Sequence, residues 1–534
     1  MCWRRLTWCL VLIGLMAAAP AAAHERKPNA EQRAAKRAHV GESRTRAGVA
    51  DAVSVSDSAS IGQWSGPFEW PLVAIHATLL RTGHVLVMDD HTEVPAGAKV
   101  WDPVTGVFSE VPMTSSDLYC SGHSALPDGR ILVTGGHTHI YVGIPDVTIF
   151  DPDTRTWSLG PPMQYGRWYP TNTTLRDGRV LVLSGSVDCA MCIADVPELY
   201  DPVTRAWTSM PALRLALPLY PHMFLLPDGR VLAASTQEDP IPTLALDLEA
   251  GAWRLVDLAV RDGGSSAMYR PGKIIKSGTA RNPDYPPGPA VATTYVLDMT
   301  QPSPAWRETA PMAFPRTQHN LTLLPDGNVL ASGGSRNSDV FDLGGSVYEA
   351  ELWSPDTETW TTVARTLRPR LYHSTALLLP DGRVLTAGGG RFGFNELNAE
   401  VYSPPYLFKG MRPIITAAPA AVHFNRAFTV TSPDASDIGM VSLLRLGSVT
   451  HAFNMEQRFL SLGFSAAGRA LTIHAPVDGN WAPPGHYMLF LVDRRGVPSL
   501  AAFVEVSAEA PPPLTVGATA PSVGASVDLY GIAP

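Results

Sequence analysis

The chain has 534 residues, of which 45% are hydrophobic and 17% are charged, and its formal net charge at pH 7 is −8. A chain of this length is too long to fold around a single hydrophobic core, so we expect more than one domain. The apolar content excludes an intrinsically disordered chain. The acidic balance gives no reason to expect a nucleic-acid partner. The 45 glycines and 48 prolines are typical of many short strands joined by turns.

The amino-terminal segment has the features of an exported protein. Residues 1–23 combine a basic start, an apolar stretch and an Ala-x-Ala ending, which predict a cleaved signal peptide. Residues 24–61 are rich in charged and small side chains and are predicted to form a flexible linker. No later stretch is long and apolar enough to span a bilayer, so we expect secretion to the extracellular space or the periplasm.

A repeat unit of roughly fifty residues runs along residues 62–408. Each unit has a strand, a turn such as "LPDGR" (126–130 and 379–383), a second strand that ends in glycine, and a strand-turn-strand such as "VTIFDPDTRTW" (147–157). We count seven units, of which the fifth is degenerate, and they resemble the kelch repeat. The sequence therefore predicts an all-β fold with a seven-bladed kelch-type β-propeller. The segment "IGQWSGPFEWPL" (61–72) is expected to close the ring.

The last part of the chain does not follow the repeat. Residues 409–507 alternate apolar and polar side chains at the β period, with Pro and Gly turns, which predicts an Ig-like (early-set) β-sandwich. Residues 508–534 are rich in Pro, Ala and Ser and are predicted to be a mobile tail.

The cysteine count singles out one residue. Signal-peptide cleavage would leave Cys120, Cys189 and Cys192. The last two are expected to form a local disulfide at a pocket rim, although a redox pair or a second metal site stays open. Cys120 is then odd, and an odd cysteine in an exported protein requires an explanation.

One position of the repeat carries reactive side chains. Innermost strands of a propeller run the same way along its channel, so equivalent positions form a ring. The position before each first strand holds, in chain order, Cys120, Tyr169, Tyr220, Gln318 and His373, with Tyr372 adjacent. A single Tyr or His there is normally a packed core residue, but this set on one face favours a metal site. Imidazole and phenolate ligands suit copper(II) better than zinc or magnesium.

Four motifs, in order, resemble those of the radical copper oxidases, a family that includes galactose oxidase and the glyoxal oxidases. They are "LYCSG" (118–122), "GRWYPT" (166–171), "RLYHS" (370–374) and "GSVTHAFNMEQRFLSL" (447–462). The resemblance implies that Tyr169 is a copper ligand and the radical site, joined by a thioether to Cys120. Tyr372 would be the axial tyrosine and proton acceptor. His373 and His451 would complete the site for one copper ion, with His451 supplied by the sandwich domain.

The resemblance also implies a reaction. Small aldehydes of the glyoxal type or primary alcohols would be oxidised by O2, with hydrogen peroxide as product. Galactose oxidase has a tryptophan stacked over the crosslinked tyrosine, whereas the matching position here is Val187. The triplet at 167–169 is more similar to glyoxal oxidases, which favours aldehydes. A monomer is expected, with a peroxidase as a further partner that would consume the peroxide.

Two other interpretations stay open at this stage. The first is a non-catalytic kelch propeller that binds a polysaccharide or a protein partner, and it predicts no crosslink. The second is a copper site without radical chemistry.

Overall fold

The computed structural model describes residues 55–89, 97–113, 116–280, 288–337, 342–390 and 394–508. The predicted signal peptide, residues 24–54 of the predicted linker and residues 509–534 of the predicted tail lie outside these ranges. The last part of the predicted linker, Val55–Ile61, forms a short α-helix, α1. Within the described ranges, no helix is long and apolar enough to cross a membrane.

Short antiparallel strands make up most of the described chain. The residues up to 403 form seven small sheets that each contain four strands of the repeat, and one of these sheets is extended by a later hairpin. A separate two-stranded ribbon, β8 with β9, lies on one loop. The strands of this region are β1 Gln63–Glu69, β2 His76–Leu79, β3 Val85–Met88, β4 Lys99–Trp101, β5 Phe108–Glu110, β6 Gly122–Ala125, β7 Ile131–Thr134, β8 His137–His139, β9 Val142–Gly143, β10 Val147–Asp151, β11 Thr156–Leu159, β12 Thr171–Thr174, β13 Val180–Leu183, β14 Glu198–Asp201, β15 Ala206–Ser209, β16 Pro221–Leu225, β17 Val231–Thr236, β18 Thr243–Asp247, β19 Ala252–Asp257, β20 Ser265–Arg270, β21 Lys273–Ser277, β22 Thr294–Asp298, β23 Arg307–Glu308, β24 Asn320–Leu323, β25 Val329–Ser332, β26 Glu349–Ser354, β27 Thr359–Arg365, β28 Ser374–Leu378, β29 Val384–Gly388 and β30 Asn398–Ser403. Three-residue or four-residue 3-10 helices occur at Pro211–Leu213, Leu343–Gly345, Pro405–Phe408 and Ala435–Asp437.

The recurring Pro-Asp-Gly turn has one local cause. In the turn between β6 and β7, the Asp128 carboxylate accepts a hydrogen bond from the backbone N–H of Arg130 at 3.0 Å. The intervening Gly129 has φ of 84°, a conformation that disfavours residues with a Cβ. The same aspartate bond recurs in the turns at Asp177, Asp228, Asp326 and Asp381. The motif thus fixes the hairpin at the end of the first strand in five of the seven sheets.

Neighbouring sheets are arranged in a ring. The first strands contact one another in the pairs β6 with β12, β12 with β16, β16 with β20, β20 with β24, β24 with β28 and β28 with β2. Strand β1 pairs antiparallel with β30, so the start of the described chain completes the last sheet. The predicted closure of the ring by residues near 61–72 is confirmed.

The carboxy-terminal part forms two sheets with a buried apolar core. Their orders are β31-β40-β39-β33-β36 and β32-β38-β37. The strands of this part are β31 Ala421–His423, β32 Ala427–Thr431, β33 Ile438–Arg445, β34 Ser448–Thr450, β35 Phe453–Asn454, β36 Phe459–Leu462, β37 Phe464–Ala467, β38 Ala470–His474, β39 Gly485–Asp493 and β40 Ala502–Ser507.

The β34–β35 hairpin leaves its own domain and enters the ring. Strand β34 pairs antiparallel with β2, with Ser448–Thr450 opposite His76–Thr78. The residues that follow bond to several other sheets: the Ser265 hydroxyl donates to Ala452 O at 2.7 Å, and the Gln457 amide donates to Leu321 O at 2.8 Å. The hairpin therefore fills the centre of the ring.

Three buried ion pairs hold the start of a first strand against the third strand of the same sheet. They are Arg167–Glu198, Arg316–Glu351 and Arg370–Glu400. Each guanidinium also donates to backbone carbonyls, as Arg370 does to Gly388 O at 3.0 Å and Asn398 O at 3.1 Å. Because Arg370 lies two residues before Tyr372, this ion pair anchors the segment that carries two predicted metal ligands, Tyr372 and His373.

We expect Glu400→Gln to lower the free energy of unfolding by about 3 kcal/mol, because it leaves the Arg370 guanidinium buried without its carboxylate. Urea titration measures the change. The matched control is Glu358→Gln, which breaks the exposed pair with Arg307 and should cost less than about 1 kcal/mol. Equal losses in the two variants would contradict the anchoring role.

Candidate metal centre

The backbone adopts a left-handed conformation at one position of the repeat. Non-glycine residues with positive φ are uncommon and cost about 1 kcal/mol each. The residues at this position, with their φ values, are Cys120 (58°), Tyr169 (67°), Tyr220 (45°), Gln318 (56°) and His373 (67°). These are the residues predicted to be equivalent, so that prediction is confirmed.

Hydrogen bonds between sheets bring three of these positions together. The backbone N–H of Tyr169 donates to Cys120 O at 2.9 Å, and that of Tyr220 donates to Tyr169 O at 3.0 Å. A further bond runs from the N–H of Cys120 to Nε2 of the buried His76 at 3.1 Å. Burial, His123 and His373 together hold the pKa of His76 well below its usual value, so His76 is a neutral acceptor.

All five residues predicted for the site converge in the buried channel. The Tyr169 and Tyr372 hydroxyls form a short hydrogen bond. His451 Nε2 lies 3.2 Å from Tyr169 Oη and 3.6 Å from Cys120 Sγ. The ligand atoms of Cys120, His373 and His451 all lie within 4.8 Å of one another. The side chains come from three sheets of the ring and from the inserted hairpin.

Both imidazoles present an unprotonated nitrogen to this cluster. Nδ1 of His373 lies 3.1 Å from Gly390 O, which can only accept, so Nδ1 carries the proton and Nε2 has the lone pair. Nδ1 of His451 lies 2.6 Å from Thr450 Oγ1. Because the Thr450 hydroxyl donates to Ile75 O at 3.0 Å, it accepts from His451 Nδ1–H. Such outer bonds fix the ring orientation of metal-binding histidines.

The buried phenols favour a cation as their partner. Burial raises the pKa of Tyr169 well above its usual value, and Cys120 and Tyr372 raise it further. In the absence of a cation the phenol therefore keeps its proton at neutral pH. Two imidazole nitrogens, two phenol oxygens and a neighbouring thiol form a donor set that fits copper(II).

Sequence reasoning gave no role to three aromatic residues that adjoin the cluster. Tyr119 Oη lies 3.4 Å from His373 Nε2, which is the nitrogen available to a metal. The ring of Tyr220 stacks on that of Tyr169 with centroids 4.6 Å apart, and the Trp168 ring lies 4.2 Å from it. The sequence does contain a signal for them: Tyr119 is next to Cys120, Trp168 is next to Tyr169, and Tyr220 occupies the equivalent position of its own repeat unit. Position 187 holds a valine, so the ring stacked on Tyr169 is that of Tyr220, while the Trp168 ring lies tilted beside it.

The disulfide between Cys189 and Cys192 is present, as predicted. Its loop is joined to the site through backbone bonds, from Val187 N to Cys192 O at 2.8 Å and from Trp168 N to Ser186 O at 2.9 Å. The loop thus lies next to the aromatic residue that precedes Tyr169.

Family comparisons match separate parts of the chain. Residues 412–506 match the galactose oxidase-like early set domain, residues 277–406 match the glyoxal oxidase amino terminus, and residues 120–164 match the kelch motif. The chain therefore resembles the galactose oxidases and glyoxal oxidases along both its repeat region and its carboxy-terminal part. The predicted family resemblance and the predicted all-β fold with a carboxy-terminal early-set domain are therefore confirmed.

Relatives cover most of both chains. A galactose oxidase of Gibberella zeae is 29% identical, over 84% of this chain and 71% of that protein. The aldehyde oxidase GLOX of Vitis pseudoreticulata is 28% identical, over 85% of this chain and 99% of that protein. Among solved structures, a fungal alcohol oxidase in complex with copper superposes with a TM-score of 0.74 at 26% identity, over 84% of this chain and all of the other. Similarity of this extent to named oxidases indicates that the chain is an oxidase of this kind.

We expect Thr450→Val to weaken copper binding about 10- to 100-fold, because His451 loses the acceptor that fixes its ring and tautomer. Competition with a chromophoric chelator measures the affinity. Thr148→Val is the matched control, since this buried hydroxyl has no hydrogen-bond partner among the described residues. Unchanged affinity in the Thr450 variant would refute the role of this bond.

Proposed function

We propose that the protein is an exported mononuclear copper radical oxidase that oxidises small aldehydes, with primary alcohols as the second substrate class. The observation that carries the proposal is the convergence of Cys120, Tyr169, Tyr372, His373 and His451 in one buried cluster. Each donor comes from a residue that the family resemblance assigns to the site. Dioxygen would take the two electrons and two protons that the substrate loses, which yields hydrogen peroxide.

The proposed roles follow from the contacts. Tyr169, Tyr372, His373 and His451 would hold the ion, and copper when bound would supply a one-electron acceptor at the reacting carbon's oxygen. Tyr372 Oη would take the substrate hydroxyl proton, since it lies in the buried cluster beside the other donors. Tyr169, joined to Cys120 Sγ by a thioether, would take the hydrogen atom from carbon. Tyr169 must be in its radical form for this step and becomes an ordinary tyrosine as it gains the hydrogen atom; the stacked ring of Tyr220 would shield the radical before it reacts.

Aldehydes stand first because of the residues around Tyr169. A valine replaces the stacking tryptophan of galactose oxidase at position 187, and Trp168 precedes the radical tyrosine as in glyoxal oxidases. The aldehyde oxidase of Vitis also aligns over 99% of its own length. Aldehydes react as their hydrates in this scheme, because a hydroxyl group must lose the proton that Tyr372 accepts.

The proposal includes the organisation of the mature protein. We infer a signal peptide at 1–23, a linker that ends before the helix at Val55–Ile61, a propeller at 62–408, a sandwich at 409–507 and a tail at 508–534. We also propose a secreted monomer whose peroxide a peroxidase consumes. A non-catalytic binding propeller is the alternative, but the five convergent side chains are buried, whereas a macromolecular partner requires exposed groups.

Copper-loaded, oxidised protein should form peroxide from glyoxal, methylglyoxal or glycolaldehyde faster than from galactose or simple alcohols, as a coupled peroxidase assay would show. We expect Tyr372→Phe to lower kcat about 10²- to 10⁴-fold, because the proton acceptor is lost. Tyr200→Phe, a buried tyrosine of β14, should keep full activity. No peroxide from any member of a broad aldehyde and alcohol panel would reject the proposal.

Intact-mass measurement tests the crosslink independently of turnover. After copper and oxygen treatment, the wild-type protein should lose two hydrogens, and peptide mapping should join Cys120 to Tyr169. Cys120→Ser should show no such loss while it still binds copper through the other donors. A wild-type Cys120 that still reacts with a thiol reagent would favour the binding interpretation, and an active Cys120→Ser variant would indicate copper chemistry without a radical.

A further inference from the structure

A small cavity lies within the ring against the residues that follow the β34–β35 hairpin. Its volume is about 20 Å³, which is enough for one water molecule or one monoatomic ion. Its polar lining comes from Thr173 and Thr174 of β12 and from the segment Asn454–Arg458, together with Arg445 at the end of β33. Residues of the ring and of the inserted segment therefore enclose it jointly.

The charges that line the cavity do not balance. Arg445 and Glu456 form an ion pair, and the Glu456 carboxylate also accepts from the Thr174 hydroxyl at 2.6 Å, so both of its oxygens have partners. Arg458 also lines the cavity, yet it donates only to neutral carbonyls: Asn480 O at 2.8 Å, Trp481 O at 3.0 Å and Leu225 O at 2.9 Å. The described lining thus holds two cations and one anion.

This excess positive charge is buried. Arg458 is 6% exposed, Arg445 4% and Glu456 4%. A buried charge without a counter-charge is costly, and a water molecule cannot neutralise it. Consistent with that cost, burial and the nearby Arg445 lower the pKa of Arg458 to about 10.

We propose that this cavity binds a small monoatomic anion, of the class of chloride or bromide, as the counter-ion of Arg458. The small volume favours a monoatomic ion over larger organic anions. The lining offers the hydroxyl of Thr173, which has no hydrogen-bond partner among the described residues, together with the Gln457 amide and the Arg458 guanidinium. This site is separate from the donor cluster of Tyr169 and Tyr372.

Anion binding would stabilise the segment that delivers His451. Asn454 ends the hairpin, and its carboxamide accepts from the N–H of Ser448 at 2.9 Å and of Gln457 at 3.0 Å. A ligand that binds this segment in the folded protein, but does not bind the unfolded chain, stabilises the folded protein by mass action. The anion would therefore help to keep the β34–β35 hairpin in the ring, and it would take no part in the oxidation reaction itself.

Thermal unfolding of the full-length copper-loaded protein tests the proposal. At constant ionic strength, replacement of sodium gluconate by sodium chloride should raise the unfolding midpoint by about 2 °C, with saturation as chloride increases. Constant ionic strength removes the contribution of screening, and gluconate is too large for the cavity.

Arg458→Gln should lose the chloride-dependent shift. Arg412→Gln should keep it, because Arg412 likewise donates only to carbonyls, Pro498 O and Ser499 O, but does not line the cavity. Loss of the shift in both variants would overturn the proposal.

Bromide-soaked crystals of the wild-type protein provide a test that needs no variant. We expect an anomalous peak in the cavity within hydrogen-bond distance of Arg458. A cavity that contains water only, or a midpoint that does not depend on the halide, would also overturn the proposal.

Discussion

The pairing of β34 with β2 is the interaction on which the rest of the site depends. It draws a hairpin of the carboxy-terminal domain into the ring, where Ser448–Thr450 lie opposite His76–Thr78. His451 follows directly, and its position is then fixed by a threonine that is itself bound to Ile75 O of the ring. Two domains thus share one donor cluster, and neither of them contains the full set alone.

Buried polar contacts secure this arrangement. In three sheets, a buried arginine just before the first strand forms an ion pair with a glutamate of the third strand. The residues that follow each arginine therefore cannot shift without breaking this pair. The left-handed backbone at Cys120, Tyr169 and His373 costs energy at each position. The ring tolerates that cost because the flanking strands are held by ladders, ion pairs and the inserted hairpin.

The sequence was sufficient for the repeat and, together with the family resemblance, for naming the candidate site residues. Asp-Gly turns mark the first hairpin of five of the seven sheets, where an aspartate bond and a glycine of positive φ define the turn. Counting back from those turns gave an equivalent position in five units, and the structure shows the same left-handed conformation at all five. The odd cysteine was visible for a similar reason, since the other two are close enough in sequence to pair.

Periodicity places equivalent positions at the same level of neighbouring sheets, but it does not show which side chains contact one another across those sheets. Tyr119 and Tyr220 were visible in the sequence, but only the packed ring shows that one reaches His373 Nε2 and that the other stacks on Tyr169. The tautomers of His373 and His451 were likewise decided by partners distant in the chain. The sequence by itself determined the local turns, the repeat and the candidate donors, because these depend on neighbouring residues. Tertiary structure alone decided which donors converge, how their protons are placed and where a charge stays unbalanced, because those depend on contacts between strands far apart in sequence.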